Sequence, residues 1–311
     1  MLHIAFERVR TLYNPLASAS LPLINGLTRR RLMRSGVAED QVRLGGVALN
    51  YYHRAPTVPP ERPHAPVLLV HGLADSALTW AFVLGPLARD RAVYAVDLPG
   101  YGASGLLAGR AYASLDEMRD LLVTFTREVI GAPALVVGNS LGGWLAIKQA
   151  WSAPELVRGV VLLDAGGAPL AGRPSWEPFL ESIAVPDLKS TRRVVRQLFG
   201  IGGLPMAFLG QHGIQSLFQR QVVREFVAMV QEDEFLHPED VRRLPVPAAL
   251  VWGLADRFLP EGSRQFFQEN LPGAPTLLLR RCGHLPQRER PIDVLRFIRH
   301  FANQIDLMTM P

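Results

Sequence analysis

Cysteine is almost absent from the 311 residues of this chain, since Cys282 is the only one. A single thiol excludes an intrachain disulfide, and with scattered histidines it makes no metal site. We therefore expect Cys282 to be neither a metal ligand nor a redox centre. Nothing in the composition requires an oxidising compartment, so a cytoplasmic location is the expectation.

Lysine is nearly as scarce, because Lys148 and Lys189 are the only two among 33 basic residues. The formal net charge is +5, and a basic balance can indicate nucleic acid or an anionic membrane as partner. The arginines cluster at one place only, Arg29–Arg31 with Arg34. We interpret this cluster as a solvated helix end and expect no nucleic-acid partner. Peripheral membrane contact by the N-terminal segment is the less favoured alternative.

A long apolar run without charges is also missing. The longest candidate, Gly131–Ile147, contains a glycine-rich turn, and no window suits a bilayer-spanning helix. The first residues mix Glu7 with Arg8 and Arg10, which makes a poor signal peptide, with Pro15–Leu27 as the rival segment. With 48% hydrophobic residues, the chain is long enough for a large core. These features predict a soluble globular protein.

Short β-rich runs alternate with runs of helical spacing from Val42 onward. This alternation is typical of a mostly parallel sheet with helices on both faces. The eight predicted strands are Val42–Leu44, Val47–Tyr52, Val67–Val70, Ala92–Val96, Ala134–Val137, Val160–Leu163, Ala248–Trp252 and Thr276–Leu279. The predicted helices are Leu78–Arg89, Ser114–Ile130, Gly142–Trp151, Gly262–Glu269 and Pro291–Asn303. Gly45-Gly46 predicts an antiparallel hairpin between the first two strands.

The strand pattern stops between about Ala168 and Leu244, where helical runs such as Gln215–Gln231 and several prolines replace it. We interpret this stretch as a helical cap set on the carboxyl edge of the sheet. The resulting division is a helical N-terminal extension (residues 1–40), a core in two parts (41–168 and 245–311) and the cap (169–244).

The stretch VVGNSLGGW, Val136–Trp144, surrounds one serine with glycine. Gly138 and Gly142 give the pattern G-x-S-x-G between a predicted strand and a predicted helix. A strand that turns at once into a helix forces the residue at its tip into a sparsely allowed backbone conformation, so its neighbours must be small. The hydroxyl of Ser140 is then exposed at a helix N-terminus, where developing negative charge is favoured. We predict that Ser140 is a nucleophile.

A serine nucleophile needs a base, and the base needs an acid to orient it. Asp256 follows the seventh predicted strand and His284 follows the eighth. The order Ser140, Asp256, His284 places all three at the carboxyl ends of strands, where open α/β sheets carry their sites. Asp164, which ends the sixth strand, is the alternative acid. We favour Asp256, because Asp164 is explained more simply as a loop or helix cap.

Two further stretches, Val70-His71-Gly72-Leu73 and DLPGYGAS from Asp97 to Ser104, complete a resemblance to the α/β-hydrolases over roughly Val42–Asn303. The resemblance implies an α/β-hydrolase fold, with a mostly parallel eight-stranded sheet, helices on both faces and an inserted helical cap. It also implies that Leu73 and Leu141 donate backbone N–H groups to an oxyanion. Asp97 is expected to be structural and to hold its own loop.

The expected chemistry is hydrolysis of a small-molecule ester, with neither a metal nor an organic cofactor. Serine at position 140 argues against haloalkane dehalogenases and epoxide hydrolases, relatives that use aspartate there. We favour a carboxylesterase or lipase-like enzyme for short to medium acyl chains. Three aromatic residues are candidates for the pocket: Trp144, Phe208 and Phe218.

Two alternatives stay open. GLADRFLP followed by CGH also resembles bacterial hydrolases that cleave carbon–carbon bonds in ring-opened aromatics, although HLPQRER lacks the tryptophan that usually follows their histidine. A small-molecule receptor on the same scaffold is the second alternative, and a haloperoxidase-like side activity is an option for the same site. The sequence does not assign an oligomeric state.

Overall fold

The structure is a computed structural model that describes residues 15–59, 64–169, 179, 183, 185–203 and 210–308, with side chains from residue 21 onward. Its eight strands form one sheet in the order β1-β2-β4-β3-β5-β6-β7-β8. They are β1 Ala38–Leu44, β2 Val47–Arg54, β3 Val67–Val70, β4 Val93–Val96, β5 Ala134–Asn139, β6 Val157–Leu163, β7 Ala248–Gly253 and β8 Thr276–Leu279. Strand β2 pairs antiparallel with β1 and β4, and all other pairs are parallel. The predicted mostly parallel eight-stranded sheet is confirmed.

The α-helices of the described residues are numbered in chain order. They are α1 Pro15–Arg34, α2 Leu84–Leu87, α3 Leu115–Phe125, α4 Leu141–Ser152, α5 Leu188–Leu198, α6 Gln211–Phe218, α7 Gln221–Met229, α8 Pro238–Arg242, α9 Ser263–Asn270, α10 Pro286–Glu289 and α11 Pro291–Met308. Short 3-10 turns cover Ala77–Trp80, Pro154–Leu156 and Glu232–Glu234, and a π-helical turn, Thr126–Ile130, continues α3. A capping box between Ser114 and Glu117 starts α3.

Two predicted helices are divided in the structure. The run Leu78–Arg89 becomes a 3-10 turn and the single turn α2, whose sequence LGPL contains the two poorest helix formers. The run Gln215–Gln231 breaks into α6 and α7 at Arg220, which has an extended backbone with ψ 140°. The guanidinium of Arg220 donates to the carbonyl of Gly100 at 2.7 Å, so a tertiary contact accompanies the break.

The two faces of the sheet are buried in separate apolar cores, because side chains alternate across a strand. Leu68 and Val70 of β3 lie in a core shared with α3 and α4. Val67 and Leu69 lie in the opposite core, which contains α2 and α11. Both faces of β3 are fully buried, as expected for a central parallel strand.

The described α-helices between β6 and β7 are α5 to α8, and no strand occurs among the residues that the structure describes there. The buried residues Val194, Phe218 and Val223 of these helices belong to the same core as α3 and α4, so this segment packs onto that face of the sheet. Helix α1 packs against α6, where a Cβ on Gly213 would lie 2.7 Å from Leu21. Strand β1 begins at Ala38, ahead of the boundary predicted at residue 41.

Among the described helices, none is both long and apolar enough to cross a bilayer.

Gly142→Ala tests how tightly the backbone is packed at the start of α4. A Cβ on Gly142 would lie 2.2 Å from the carbonyl oxygen of Val70, so we expect the substitution to lower the free energy of unfolding by roughly 2 kcal/mol or more. Helix propensity alone predicts the opposite sign. Urea denaturation measures the difference. The control is Gly202→Ala, whose Cβ would meet nothing within 4 Å; equal stabilities for the two variants would contradict the prediction.

Candidate active site

Ser140 occupies a one-residue turn between β5 and α4. Its backbone has φ 56° and ψ −119°, a conformation that non-glycine residues rarely adopt. A Cβ on Gly138 would lie 2.1 Å from the carbonyl oxygen of Gly142, and one on Gly72 would lie 3.0 Å from the Cβ of Ser140. The predicted need for small neighbours therefore has a direct geometric cause at this turn.

His284 and Asp256 meet at the carboxyl edge of the sheet. The Nδ1 atom of His284 lies 2.9 Å from Oδ2 of Asp256, and both side chains are buried. The other carboxylate oxygen of Asp256 accepts the backbone N–H of Phe258 at 2.8 Å, and the Phe258 ring packs against the imidazole at 4.7 Å. Because a carboxylate only accepts hydrogen bonds, Nδ1 carries the proton. This tautomer leaves a lone pair on Nε2, as a general base requires.

A buried amide network ties the Ser140 turn to the His284 loop. Nδ2 of Asn139 donates to the carbonyl oxygen of His284 at 3.0 Å, and Nε2 of Gln287 donates to Oδ1 of Asn139 at 3.0 Å. Gln287 also donates to the hydroxyl of Thr79 at 3.1 Å. All three polar residues of this network, Asn139, Gln287 and Thr79, are buried. The sequence prediction missed this network, and its only signal was that Asn139 and Gln287 lie close in sequence to predicted site residues.

The two predicted oxyanion donors follow β3 and β5, which are neighbouring strands of the sheet. Leu141 is the first residue of α4, and Leu73 follows β3; in the described part of the chain, neither backbone N–H donates to another protein group. His71 fixes the loop of Leu73. Its Nε2 accepts the N–H of Leu98 at 2.9 Å, so its Nδ1 carries the proton and donates to the carbonyl of Gly72 at 2.8 Å.

Asp97 organises the loop after β4, as its expected structural role requires. One carboxylate oxygen accepts the N–H of Ala77 at 2.7 Å, and the other accepts the N–H of Ala103 and the amide of Asn50. A Cβ on Gly102 would collide with this carboxylate at 2.1 Å.

Asp164, the alternative acid, is fully buried at the end of β6 with φ 40°. One of its oxygens accepts the N–H of Gly253 at 3.0 Å, and the other, Oδ2, has no hydrogen-bond partner within the described residues. Burial, followed by the negative charge of Asp256, raises the pKa of Asp164 well above its usual range. We interpret Asp164 as a protonated carboxyl beside the Asp256 carboxylate, to which its O–H can donate.

Asp164, Asp256 and His284 are the one group of three or more His, Cys, Asp or Glu residues in the described chain whose ligand atoms are close enough for a metal ion, within 4.8 Å of one another. There, Nδ1 of His284 already donates to Asp256. A cation at this position would have to displace that hydrogen bond. The absence of a metal from the reaction stays a prediction, and insensitivity of the activity to EDTA would support it.

The end of α5, in the predicted cap, bonds directly to both loops. The carbonyl of Leu198 accepts the N–H of His284 at 2.7 Å, and the carbonyl of Gln197 accepts the N–H of Arg257 at 3.2 Å. The His284 loop and the Asp256 loop are therefore both anchored to one turn of the cap.

Glu289 forms a second connection between the His284 loop and the residues after α5. Its two carboxylate oxygens accept the N–H groups of Gly283 and Gly200, each at 2.9 Å. Burial raises its pKa, and these two hydrogen bonds oppose the shift. Glu289 thereby links the residue that precedes His284 to the residues that follow α5.

A cavity of about 520 Å³ lies against this site. Its wall includes His284, Phe258, Gly72, Leu73 and Asn139, so it borders the His284 imidazole and the residues next to Ser140. Helix α1 contributes a further part of the wall, which the sequence did not predict: Leu21, Asn25, Gly26 and Arg29.

The three predicted pocket aromatics have different positions. Phe218 lines the cavity and packs edge-on against Phe258 at 6.0 Å. Trp144 does not line it, because its ring is buried in the core and stacks on Phe235 at 5.0 Å. Phe208 lies outside the described residues.

Asp164→Asn tests the carboxyl pair through the pH dependence of stability. Above pH 4 or so, the unfolded chain loses the Asp164 proton that the folded chain keeps, so the wild-type free energy of unfolding falls as pH rises toward the folded pKa. Asparagine preserves the donor and does not titrate. We therefore expect the stability of the variant relative to wild type to increase from pH 4 to pH 7, measured by urea denaturation.

The matched control is Asp97→Asn. Both carboxylate oxygens of Asp97 accept hydrogen bonds, three in total, so the NH₂ group of an asparagine there would face an N–H donor whichever way the amide turned. This control should be destabilised at neutral pH. Equal destabilisation of Asp164→Asn at neutral pH would contradict the protonated carboxyl.

Comparison with known proteins identifies one family. A sequence model of the alpha/beta hydrolase family matches residues 67–296. The chain is 27% identical over 238 residues to a pimeloyl-acyl-carrier protein methyl ester esterase of Nitrosomonas europaea, covering 71% of this chain and 88% of that protein. It is 26% identical over 252 residues to a 2-hydroxy-6-oxononadienedioate/2-hydroxy-6-oxononatrienedioate hydrolase of Burkholderia vietnamiensis, covering 76% and 87%.

Among solved structures, a bacterial membrane phospholipase A superposes with a TM-score of 0.75 at 20% identity. The superposition covers 94% of this chain and 93% of that one. At this identity the likeness concerns the fold alone, and it agrees with the match to the family over more than half of the chain. The chain belongs to the alpha/beta hydrolase family.

Proposed function

We propose that this chain is a serine hydrolase that cleaves carboxylic esters of small molecules through an acyl-enzyme on Ser140. The observation that carries the proposal is the buried hydrogen bond between His284 and Asp256, which leaves Nε2 of the imidazole available as a base beside the Ser140 turn. The two N–H groups of Leu73 and Leu141, free of protein acceptors in the described chain, support it.

In the proposed reaction, Nε2 of His284 takes the proton of the Ser140 hydroxyl while Oγ attacks the ester carbonyl carbon. The carbonyl electron pair moves to oxygen, and the Leu73 and Leu141 amides stabilise that oxyanion. The intermediate collapses with cleavage of the C–O bond, and His284 returns the proton to the leaving alcohol. Water then hydrolyses the acyl-enzyme by the same steps, with Asp256 stabilising the imidazolium in both halves.

An apolar acyl group suits the cavity. Apolar side chains form one section of its wall: Leu198, Phe199, Ile214, Leu217, Phe218 and Phe258. The volume of about 520 Å³ lies in the usual range for small-molecule sites. The sequence relative named as a methyl ester esterase also favours ester cleavage.

Hydrolysis of p-nitrophenyl esters from two to sixteen carbons tests the proposal. We expect wild-type turnover of about 1 per second or faster on at least one ester, and its loss in Ser140→Ala. The chain length with the highest kcat/KM then measures the acyl pocket. Equal turnover by the alanine variant would contradict the role of Ser140.

Carbon–carbon hydrolysis is the second candidate, and the relative named as a 2-hydroxy-6-oxononadienedioate hydrolase favours it. Against it, Leu285 and Pro286 follow His284 in this chain, and the stretch LPQRER contains no tryptophan such as usually follows the catalytic histidine of those hydrolases. An assay with a ring-opened dienoate as substrate distinguishes the two reactions. Carbon–carbon cleavage is measured as the loss of the visible absorbance of that compound. Activity on this compound without activity on esters would replace the ester proposal, and turnover of neither would favour a receptor.

Phe218→Ala tests the acyl pocket. Removing the ring enlarges the cavity, so we expect the preferred ester to lengthen by two or more carbons as measured by kcat/KM across the series. The matched control is Phe226→Ala, because Phe226 is an equally buried phenylalanine of α7 that does not line the cavity. Both variants should lose stability. The same acyl profile for both would show that Phe218 acts only in the core.

Asn139→Ala tests the amide network. Losing the hydrogen bond to the His284 carbonyl frees the loop that positions the imidazole, so we expect kcat to fall by about 10²-fold while KM changes little. Gln149→Ala is the control, because Gln149 is a buried glutamine of α4 that bonds to Thr126 outside the site. If both variants had a lower melting temperature and a wild-type kcat, Asn139 would contribute to stability and not to the positioning of the imidazole.

A further inference from the structure

Helix α1 exposes an apolar strip on the side that faces away from the protein. Leu23 is 64% exposed, Ile24 44% and Leu27 57%. Residues at this spacing share one face of a helix. Three neighbouring large aliphatic side chains are thus in contact with solvent, whereas Leu32 of the same helix is buried.

The same strip continues as a row of cations. Arg30, Arg31 and Arg34 follow Leu23 and Leu27 at spacings of three and four residues, which keeps them on the same face. Helix α1 contains no acidic residue. Arg30 and Arg34 form no ion pair within the described residues, whereas Arg29, toward the cavity, pairs with Glu39.

An aromatic ring from another element widens the strip. Phe82, which follows the 3-10 turn Ala77–Trp80, is 47% exposed. The guanidinium of Arg31 lies over its ring at 5.4 Å from the centroid. We call these seven residues the α1 surface: Leu23, Ile24, Leu27, Arg30, Arg31, Arg34 and Phe82.

The opposite side of α1 forms part of the cavity wall through Leu21, Asn25 and Arg29. A helix with its side chains is about 10 Å thick, so the α1 surface lies about that distance from the cavity. Whatever binds the α1 surface is separated from the candidate active site by one helix.

We propose that the α1 surface binds the surface of an anionic phospholipid bilayer. Exposed aliphatic and aromatic side chains beside several arginines are the features by which a helix lies in a lipid interface. Arg30 and Arg34, which form no ion pair among the residues that the structure describes, complement the negative headgroups. A stable protein interface takes about 20–30 residues on each side, which is more than these seven provide. The inference rests on these residues and is independent of the reaction proposed for Ser140.

Flotation of the full chain with vesicles tests this proposal. One vesicle type contains equal parts of phosphatidylglycerol and phosphatidylcholine, and the other contains phosphatidylcholine alone. We expect the wild type to float with the anionic vesicles, to bind the neutral ones much more weakly, and to dissociate as the salt concentration rises.

Two double variants test the two halves of the surface. Leu23→Glu with Leu27→Glu should abolish flotation. Arg30→Gln with Arg34→Gln should weaken partitioning by about 30-fold, since each arginine near an anionic surface contributes about fivefold. All four positions are exposed, and unchanged melting temperatures would verify the fold.

Matched controls lie elsewhere on the surface. Ile292→Glu changes an aliphatic residue that is 62% exposed, and Arg264→Gln with Arg296→Gln removes two exposed arginines. Both controls should float like the wild type. No flotation of the wild type, or equal losses in controls and α1 variants, would overturn the proposal. A wild-type dimer that Leu23→Glu with Leu27→Glu converts to a monomer, without any vesicle binding, would assign the surface to a second copy.

Discussion

The one-residue turn at Ser140 is the constraint on which the rest of the site depends. With φ 56° and ψ −119°, Ser140 joins β5 to α4 without a loop, so the helix begins against the carboxyl end of the sheet. That contact leaves no room for a Cβ at Gly138 or Gly142. The strain is maintained because β5 is buried on both faces and paired on both sides. The turn also places the N–H of Leu141 at a helix N-terminus, where an oxyanion is stabilised.

Hydrogen bonds from buried amides connect the Ser140 turn to the loops around it and fix their positions. Asn139 holds the carbonyl of His284, and the carbonyl of Leu198 in α5 holds the N–H of the same residue. His284 is thus fixed from the sheet and from the cap segment, while its side chain is oriented by Asp256. Because of this hydrogen bond, a movement of α5 would shift the backbone of His284 and with it the imidazole. Asp164 is buried beside Asp256, and its burial together with the negative charge of Asp256 raises its pKa well above the usual range.

Local sequence patterns predicted the sheet and the position of Ser140, because alternating apolar runs and the spacing of Gly138 and Gly142 act over a few residues. The amide network was not predictable in this way, since Gln287 lies 148 residues from Asn139 and its role depends on the fold. The proximity of Asp164 to Asp256 is another long-range effect, because it arises only where β6 and β7 end side by side. The position of α1 against the cavity has no local signal either.

The most direct measurement of the central claim is covalent labelling by a p-nitrophenyl alkylphosphonate, followed by mass spectrometry of the digested protein. A phosphonate traps an activated serine as a stable tetrahedral adduct that resembles the intermediate. The proposed mechanism predicts one label per chain, on Ser140, and much slower labelling in His284→Ala, although Ser140 is unchanged in that variant. Labelling at another residue, or an equal labelling rate without His284, would contradict Ser140 as a nucleophile activated by His284.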